Sequence, residues 1–189
     1  MGNPLKSLLC AGRLVVDSAF RRQAFPAFYV AKRLADRKTG FARRALLNGM
    51  PYSQYAYCLY HGCELAARLG IREVSAIEFG VAGGNGLVAL EKHACEVEKA
   101  LDVKISVYGF DTGSGLTPPQ DYRDMPYFFA TGNYRMDEAK LRGRLTRSHL
   151  VLGDVKQTVR AFAGQTHPPL AAAFFDLDYY SSTVDALRL

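Results

Sequence analysis

The pattern of apolar and polar positions changes character near residue 72. Before that point apolar residues recur at helical spacing over residues 5–19 and 25–35, and again from Ser53 to about Leu69. Ser53 is of a residue type that favours the N-cap, so we predict that it caps the third of these helices. From residue 72 onward, short apolar runs alternate with amphipathic segments. The pattern therefore predicts an N-terminal helical region over residues 1–71 and a second domain over residues 72–189.

Four of the apolar runs are typical of buried strands. They are VSAIEFG at 74–80, ISVYGFD at 105–111, SHLVLGD at 148–154 and LAAAFFDLD at 170–178. Helical patterns follow at 87–101, 137–145, 155–163 and 182–189. Strands that alternate with helices favour a parallel sheet, whose strands are apolar on both faces. The predicted fold class is α/β, a Rossmann-like, doubly wound and mostly parallel sheet of about four strands.

Acidic residues stand where each predicted strand ends. Glu78 precedes a glycine-rich segment at 80–86, and Asp111, Asp154 and the pair Asp176 and Asp178 follow in order. Ligands of such sheets bind beyond the carboxyl ends of the strands. We therefore expect these side chains to share one rim and to form the binding site.

The glycine-rich segment IEFGVAGGNG does not fit a dinucleotide-binding loop. That loop would need glycine at the positions of Gly80, Ala82 and Asn85, and only the first of these matches. Glu78, two residues before Gly80, would repel a pyrophosphate and suits a cationic ligand instead. The loop therefore favours a positively charged ligand group.

The remaining acids suggest further contacts. Asp111 is placed to accept hydrogen bonds from the two hydroxyls of a ribose. Asp154 is placed either to contact an adenine amino group or to cap the helix that starts at Val155, and both roles are compatible with the sequence. Asp176 and Asp178 supply carboxylates that suit a hard divalent cation such as Mg²⁺.

In this order the motifs IEFGVAGGNG, GFDTGSGL, LGDVKQTV and FDLDYYSST resemble the class I S-adenosylmethionine-dependent methyltransferases. More closely, residues 50–189 are similar to the branch that includes the macrocin-O-methyltransferase family. The resemblance implies that Glu78, Gly80 and Gly84 line the methionine side of S-adenosylmethionine. It also implies that Asp111 holds the ribose and that Asp154 lies near the adenine.

The same resemblance implies O-methylation of a small-molecule or sugar hydroxyl with the assistance of a divalent metal, Mg²⁺ being expected. Asp176 would serve as metal ligand or general base and Asp178 as a second metal ligand, at the acceptor site. The chain departs from many relatives at Thr112-Gly113-Ser114, where they carry a bulkier residue and an acid. The acceptor side of that loop therefore differs from theirs.

Sheets of class I methyltransferases have seven strands, and in relatives another acidic pair follows the next strand and helps to hold the metal. Only four strands are predicted here, so we expect that the chain is a fragment without its C-terminal strands. An alternative is that evolution shortened it. The fourth strand would then be a sheet edge, which favours a homo-oligomer or aggregation, and this chain alone would be inactive.

Charge and composition limit the partners. The net charge of +6 lies in the N-terminal part, because residues 1–50 carry ten Lys and Arg against two Asp. No motif of interleaved aromatic and basic residues accompanies it, so a solvated helical face is favoured over nucleic-acid binding. No apolar run approaches the roughly 20 residues of a transmembrane helix. The expected partner is a small-molecule acceptor.

None of the four cysteines forms a CxxC pair. Because the sequence shows no secretion signal, we expect free thiols in a reducing, cytoplasmic location. Cys58, His61 and Cys63 lie in a helical segment without a second ligand pair, which disfavours a zinc site.

Two other classes of function stay open. A nucleotide-sugar glycosyltransferase also uses an Asp-x-Asp pair to hold a metal, although Glu78 and Asp111 argue against it. A non-catalytic binding or scaffold module that kept the pocket is the second.

Overall fold

The computed structural model of the chain describes residues 40–46 and 48–189. The helices predicted at 5–19 and 25–35 lie outside the described residues. The strands are β1 (Glu73–Phe79), β2 (Lys104–Asp111), β3 (His149–Leu152) and β4 (Leu170–Phe175). The helices are α1 (Phe41–Leu46), α2 (Ser53–Arg68), α3 (Asn85–Leu101), α4 (Glu138–Arg142), α5 (Val155–Ala163) and α6 (Tyr180–Ala186), with a 3₁₀ helix at Tyr122–Asp124.

The four strands form one sheet in the order β3-β2-β1-β4, and every neighbouring pair is parallel. This confirms the predicted α/β fold with a Rossmann-like parallel sheet. Within the described residues, β3 and β4 are the edge strands. Phe79 at the end of β1 pairs in register with Phe110 and with Phe175. The strands therefore end nearly in step, and their carboxyl ends form one rim.

Helices cover both faces of the sheet, as a doubly wound fold requires. On one face, Ile77, Phe79 and Phe110 form a buried cluster with Val159 of α5 and Ala186 of α6. On the other face, α3 packs against β2 and α2 packs against α3 and β4. Side chains alternate between the two faces along a strand. Glu78, between Ile77 and Phe79, therefore points to the side covered by α2.

The chain divides into two compact units, residues 1–50 and 51–189. The second unit includes α2 together with the sheet, and the division at residue 72 into a helical region and a sheet domain stays a prediction. Gly62 is the reason that α2 approaches β4 so closely, because a Cβ atom there would overlap with the carbonyl oxygen of Ala171. Helical periodicity indicates that α2 buries one face, but it does not say against which element.

The predicted N-cap of α2 is wrong. Ser53 is the first helical residue and is buried, and the N-cap position belongs to Tyr52 in a left-handed backbone conformation, without a side-chain capping bond. The predicted helix at 155–163 is confirmed at both ends, and Asp154 caps its N-terminus. The other elements predicted within the described residues are confirmed with ends shifted by a few residues. None of the helices among the described residues has the length and apolarity that crossing a membrane would require.

Candidate functional site

A cleft opens at the carboxyl ends of the strands. One part of it is lined by residues at or just beyond the ends of all four strands, among them Gly80, Asp111, Asp154 and Asp176. A second part continues over the glycine-rich loop and shares Tyr134, Asp176 and Asp178 with the first. We call the two parts together the cleft. All the predicted site residues line it: Glu78, Gly80, Gly84, Asp111, Asp154, Asp176 and Asp178.

The cleft is strongly acidic. Asp185 of α6 adds one more carboxyl group to those at the strand ends. No lysine, arginine or histidine occurs among the described residues that line either part. A phosphate or pyrophosphate would find no positive side chain there, whereas cationic and neutral groups meet no repulsion.

Glu78 is the most buried of these acids, with 2% of its surface exposed. Its Oε1 accepts a hydrogen bond of 2.9 Å from the Tyr55 hydroxyl, but its Oε2 is buried and has no hydrogen-bond partner among the described residues. Burial raises the pKa of Glu78 to about 8; the bond from Tyr55 opposes this shift, and the negative charges of Asp176 and Asp111 add to it. The carboxyl group is therefore mostly protonated at neutral pH until a cation reaches it.

The glycines of the loop are required by close neighbours. Gly80 has φ +87°, and a side chain there would overlap with the carbonyl oxygen of Asp176. Gly84 has φ +77° at the N-cap position of α3, where a side chain would overlap with Leu141 of α4. These glycines thus hold the loop against β4 and α4 at the place where it borders the cleft.

Asp111 connects the end of β2 to the same loop. Its Oδ2 accepts from the backbone N–H groups of Val81 and Ala82 at 3.0 and 2.9 Å, and its Oδ1 accepts from Gly113 N–H at 2.7 Å. A carboxylate has about four acceptor positions. Asp111 therefore keeps capacity on Oδ1 for a ligand hydroxyl, while it also orders the loop.

Asp154 is the N-cap of α5. Its Oδ1 accepts from the Lys156 N–H at 2.8 Å, so the capping role that the sequence left open is observed. The same residue borders the cleft. Capping therefore occupies one oxygen of a side chain that lies at the rim.

Asp176 and Asp178 both border the cleft directly after β4. Burial and the charge of Asp176 raise the pKa of Asp178. Two close carboxyl groups of this kind repel each other when both are ionised, and a bound cation would relieve the repulsion. In the described parts of the chain, no group of three or more His, Cys, Asp or Glu side chains is arranged to hold a metal.

Three residues that shape the site were not predicted. Tyr55 contacts Glu78, and Arg144 donates to the Gly83 carbonyl oxygen at 2.8 Å and to Asn85 Oδ1 at 2.7 Å. The third is Asp124, a fully buried acid that ties the loop before the 3₁₀ helix to Ser181 of α6. Each of these residues contacts a segment that is distant in sequence, so no local motif predicts its role.

No protein-family model matches the chain, and no curated protein matches it either. Among solved structures, it is similar to CalS11, a calicheamicin methyltransferase, with 22% sequence identity and a TM-score of 0.48. The match covers 88% of this chain and 72% of that one. The function proposed below rests on the residues of this chain.

Proposed function

We propose that this chain carries the cofactor site of an S-adenosylmethionine-dependent methyltransferase, and that the methyl acceptor is the hydroxyl group of a small molecule or sugar. The observation that carries the proposal is the buried Glu78, one oxygen of which has no partner among the described residues, in a cleft to which those residues contribute no positive side chain. S-adenosylmethionine brings an ammonium group, a sulfonium group and one carboxylate, together with a neutral nucleoside, so its net charge is positive. Its charges and hydroxyls match this lining, whereas those of a nucleotide phosphate do not.

Different residues would contact the methionine, ribose and adenine parts of the ligand. Glu78, with Gly80 and Gly84, would border the methionine part, where the Glu78 carboxylate would bind the ammonium group of the ligand. Asp111 would accept from a ribose hydroxyl with its remaining capacity, and Asp154 would lie near the adenine. Hydrogen bonds to a charged acceptor are worth about 1.5–3 kcal/mol each, so these contacts would dominate the affinity.

Bound S-adenosylmethionine would supply a methyl carbon on a sulfonium. An acceptor oxygen would attack that carbon in line, so that the C–O bond forms as the C–S bond breaks, S-adenosylhomocysteine leaves as a neutral thioether, and the hydroxyl proton is lost. Asp176, at the border of both parts of the cleft, would take that proton as a general base. The glycine-rich loop and β4 would hold the partners in line, and such orientation lowers the barrier.

The donor set also fits a divalent ion. Asp176 and Asp178 offer two carboxylates, and Mg²⁺ commonly takes one or two carboxylates and keeps several waters. An ion held by them would lower the pKa of the acceptor hydroxyl. The metal is therefore part of the proposal, with Asp178 as a ligand beside Asp176. A cytoplasmic location and association through the β4 edge belong to the same proposal.

The experiment is a calorimetric titration of S-adenosylhomocysteine, the demethylated product, into the chain and into Asp111→Ala. The variant should bind more weakly by about 1.5–3 kcal/mol, and unchanged affinity would contradict the role of Asp111. Asp102→Ala is the control, because its carboxylate lies outside the cleft with a 98% exposed side chain. Thermal unfolding of both variants distinguishes the loss of a ligand contact from disorder of the glycine-rich loop that Asp111 holds.

A further inference from the structure

Protein contacts alone hold the Tyr55 side chain in place. It lies in the first turn of α2, is 6% exposed, and stacks on Phe174 of β4 with ring centroids 4.0 Å apart and planes 16° from parallel. Phe174 is the register partner of Glu78 on β1. The tyrosine ring therefore bridges a helix and two strands, and its hydroxyl is delivered to a fixed point beside Glu78.

The direction of the hydrogen bond follows from the surroundings. Burial and the charge of Glu78 raise the pKa of Tyr55 far above its ordinary value. The proton accordingly stays on the tyrosine, which donates to Glu78 Oε1 at 2.9 Å. Tyr55 is therefore a fixed donor and not a base.

This bond makes the two carboxyl oxygens of Glu78 unequal. Oε1 is committed to Tyr55, and Gly86 leaves just enough room for it. Oε2 has no hydrogen-bond partner in the part of the chain that the structure describes. Among the described residues, the other titratable groups that act on Glu78 are Asp111 of β2 and Asp176 after β4. Both are acids, so no cationic side chain of these residues competes for Oε2.

We infer that Tyr55 is a positioning residue that holds the Glu78 carboxyl group so that its free oxygen receives the ammonium group of the amino-acid part of the ligand. This inference rests on the proposed function and adds a residue outside the predicted sheet domain to its site. Packing alone does not call for the hydroxyl, because phenylalanine would fill the same space and stack on Phe174 equally well.

The experiment compares two ligands across one substitution. S-adenosylhomocysteine has the amino-acid part, whereas 5′-methylthioadenosine has the same nucleoside and a thioether but lacks it. Calorimetry of Tyr55→Phe should show affinity for S-adenosylhomocysteine reduced by about three- to tenfold and affinity for 5′-methylthioadenosine unchanged. Tyr57→Phe is the matched control, since it makes the same change on the exposed side of α2 and should alter neither affinity.

Equal losses for both ligands, or no loss for either, would overturn the inference, because a structural role does not distinguish them. A second variant, Glu78→Gln, tests the pair without relying on the stability of Tyr55→Phe. It should also lose affinity selectively for S-adenosylhomocysteine, and a uniform loss would overturn the inference too. Failure of the unaltered chain to bind either nucleoside would contradict the proposed function itself.

Discussion

Gly86, in the first turn of α3, faces the carboxyl group of Glu78 so closely that a Cβ atom on Gly86 would overlap with Oε1. The same oxygen accepts from Tyr55. Glu78 is thus enclosed by α3 on one side and by α2 on the other. The glycine is required for the acid to occupy its place, in addition to any role in ligand approach.

Gly86→Ala should therefore destabilise the protein, although alanine is the better helix former by about 1 kcal/mol. Overpacking of a buried site costs about 1–3 kcal/mol, and we expect a net loss measurable by chemical denaturation. Gly83→Ala, in the loop just before α3, is the control, because no atom lies within 4 Å of its Cβ position. Equal stability of the two variants would show that Glu78 has room to move.

Ionisation of Glu78 should weaken the ligand-free fold. The pKa of Glu78 in the fold, about 8, lies above the ordinary 4.5, so its contribution to stability is full below pH 4.5 and is lost as the pH rises through 8. The loss amounts to at most about 5 kcal/mol. Glu78→Gln removes this dependence. In unfolding experiments from pH 5 to 9, the free energy of unfolding of the variant should therefore rise relative to that of the parent protein as the pH increases. Parallel curves would refute the assignment.

Binding of S-adenosylhomocysteine should release a proton below pH 8. Glu78 is protonated there in the free protein, and an ammonium group favours its carboxylate. The affinity should rise toward pH 8, by up to tenfold per pH unit, and level off above it. Titrations in buffers of different ionisation enthalpy count the released proton. In Glu78→Gln the release should vanish, and its persistence would point to another group.

Asp124 should be one of the most sensitive acids outside the strand ends. It accepts from the N–H groups of Gln120, Asp121 and Ser181 and from the Ser181 hydroxyl. Asp124→Asn brings an amide donor against these donors and should cost about 2–3 kcal/mol of unfolding free energy. Asp102→Asn, at an exposed position, should stay within about 0.5 kcal/mol of the parent protein.

The pH dependence offers a second check on Asp124. Burial alone would raise its pKa, but the hydrogen bonds from Ser181, Gln120 and Asp121 outweigh it and lower the pKa. Its contribution is therefore present above the ordinary aspartate range and is lost as the pH falls below that range. The deficit of Asp124→Asn should shrink in acid, and a deficit independent of pH would contradict this account.

The sheet was predictable because each strand is a short apolar run that ends in an acid, and this pattern depends only on local sequence. The cap at Asp154 was predictable for the same reason. The placement of α2 was not, since periodicity shows that a helix has a buried face without naming its partner. Tyr55 looks like any buried aromatic residue until β1 brings Glu78 to its hydroxyl.

The segment between β2 and α4 shows the same limit. It has no hydrophobic period, and its order comes from Asp124 reaching across to Ser181. The role of Arg144 is equally hard to predict from the sequence, since its partners Gly83 and Asn85 lie far away along the chain, at the start of α3. Tertiary contacts between irregular segments decide these features, and only the folded chain reveals them.

The most direct test of the central claim is a calorimetric comparison of S-adenosylhomocysteine with a uridine diphosphate sugar, each titrated into the unaltered chain with and without Mg²⁺. The acidic cleft and the unpartnered Glu78 oxygen predict saturable, one-to-one binding of S-adenosylhomocysteine and no binding of the sugar nucleotide under either condition. Binding of the sugar nucleotide, or no binding of S-adenosylhomocysteine, would contradict the account.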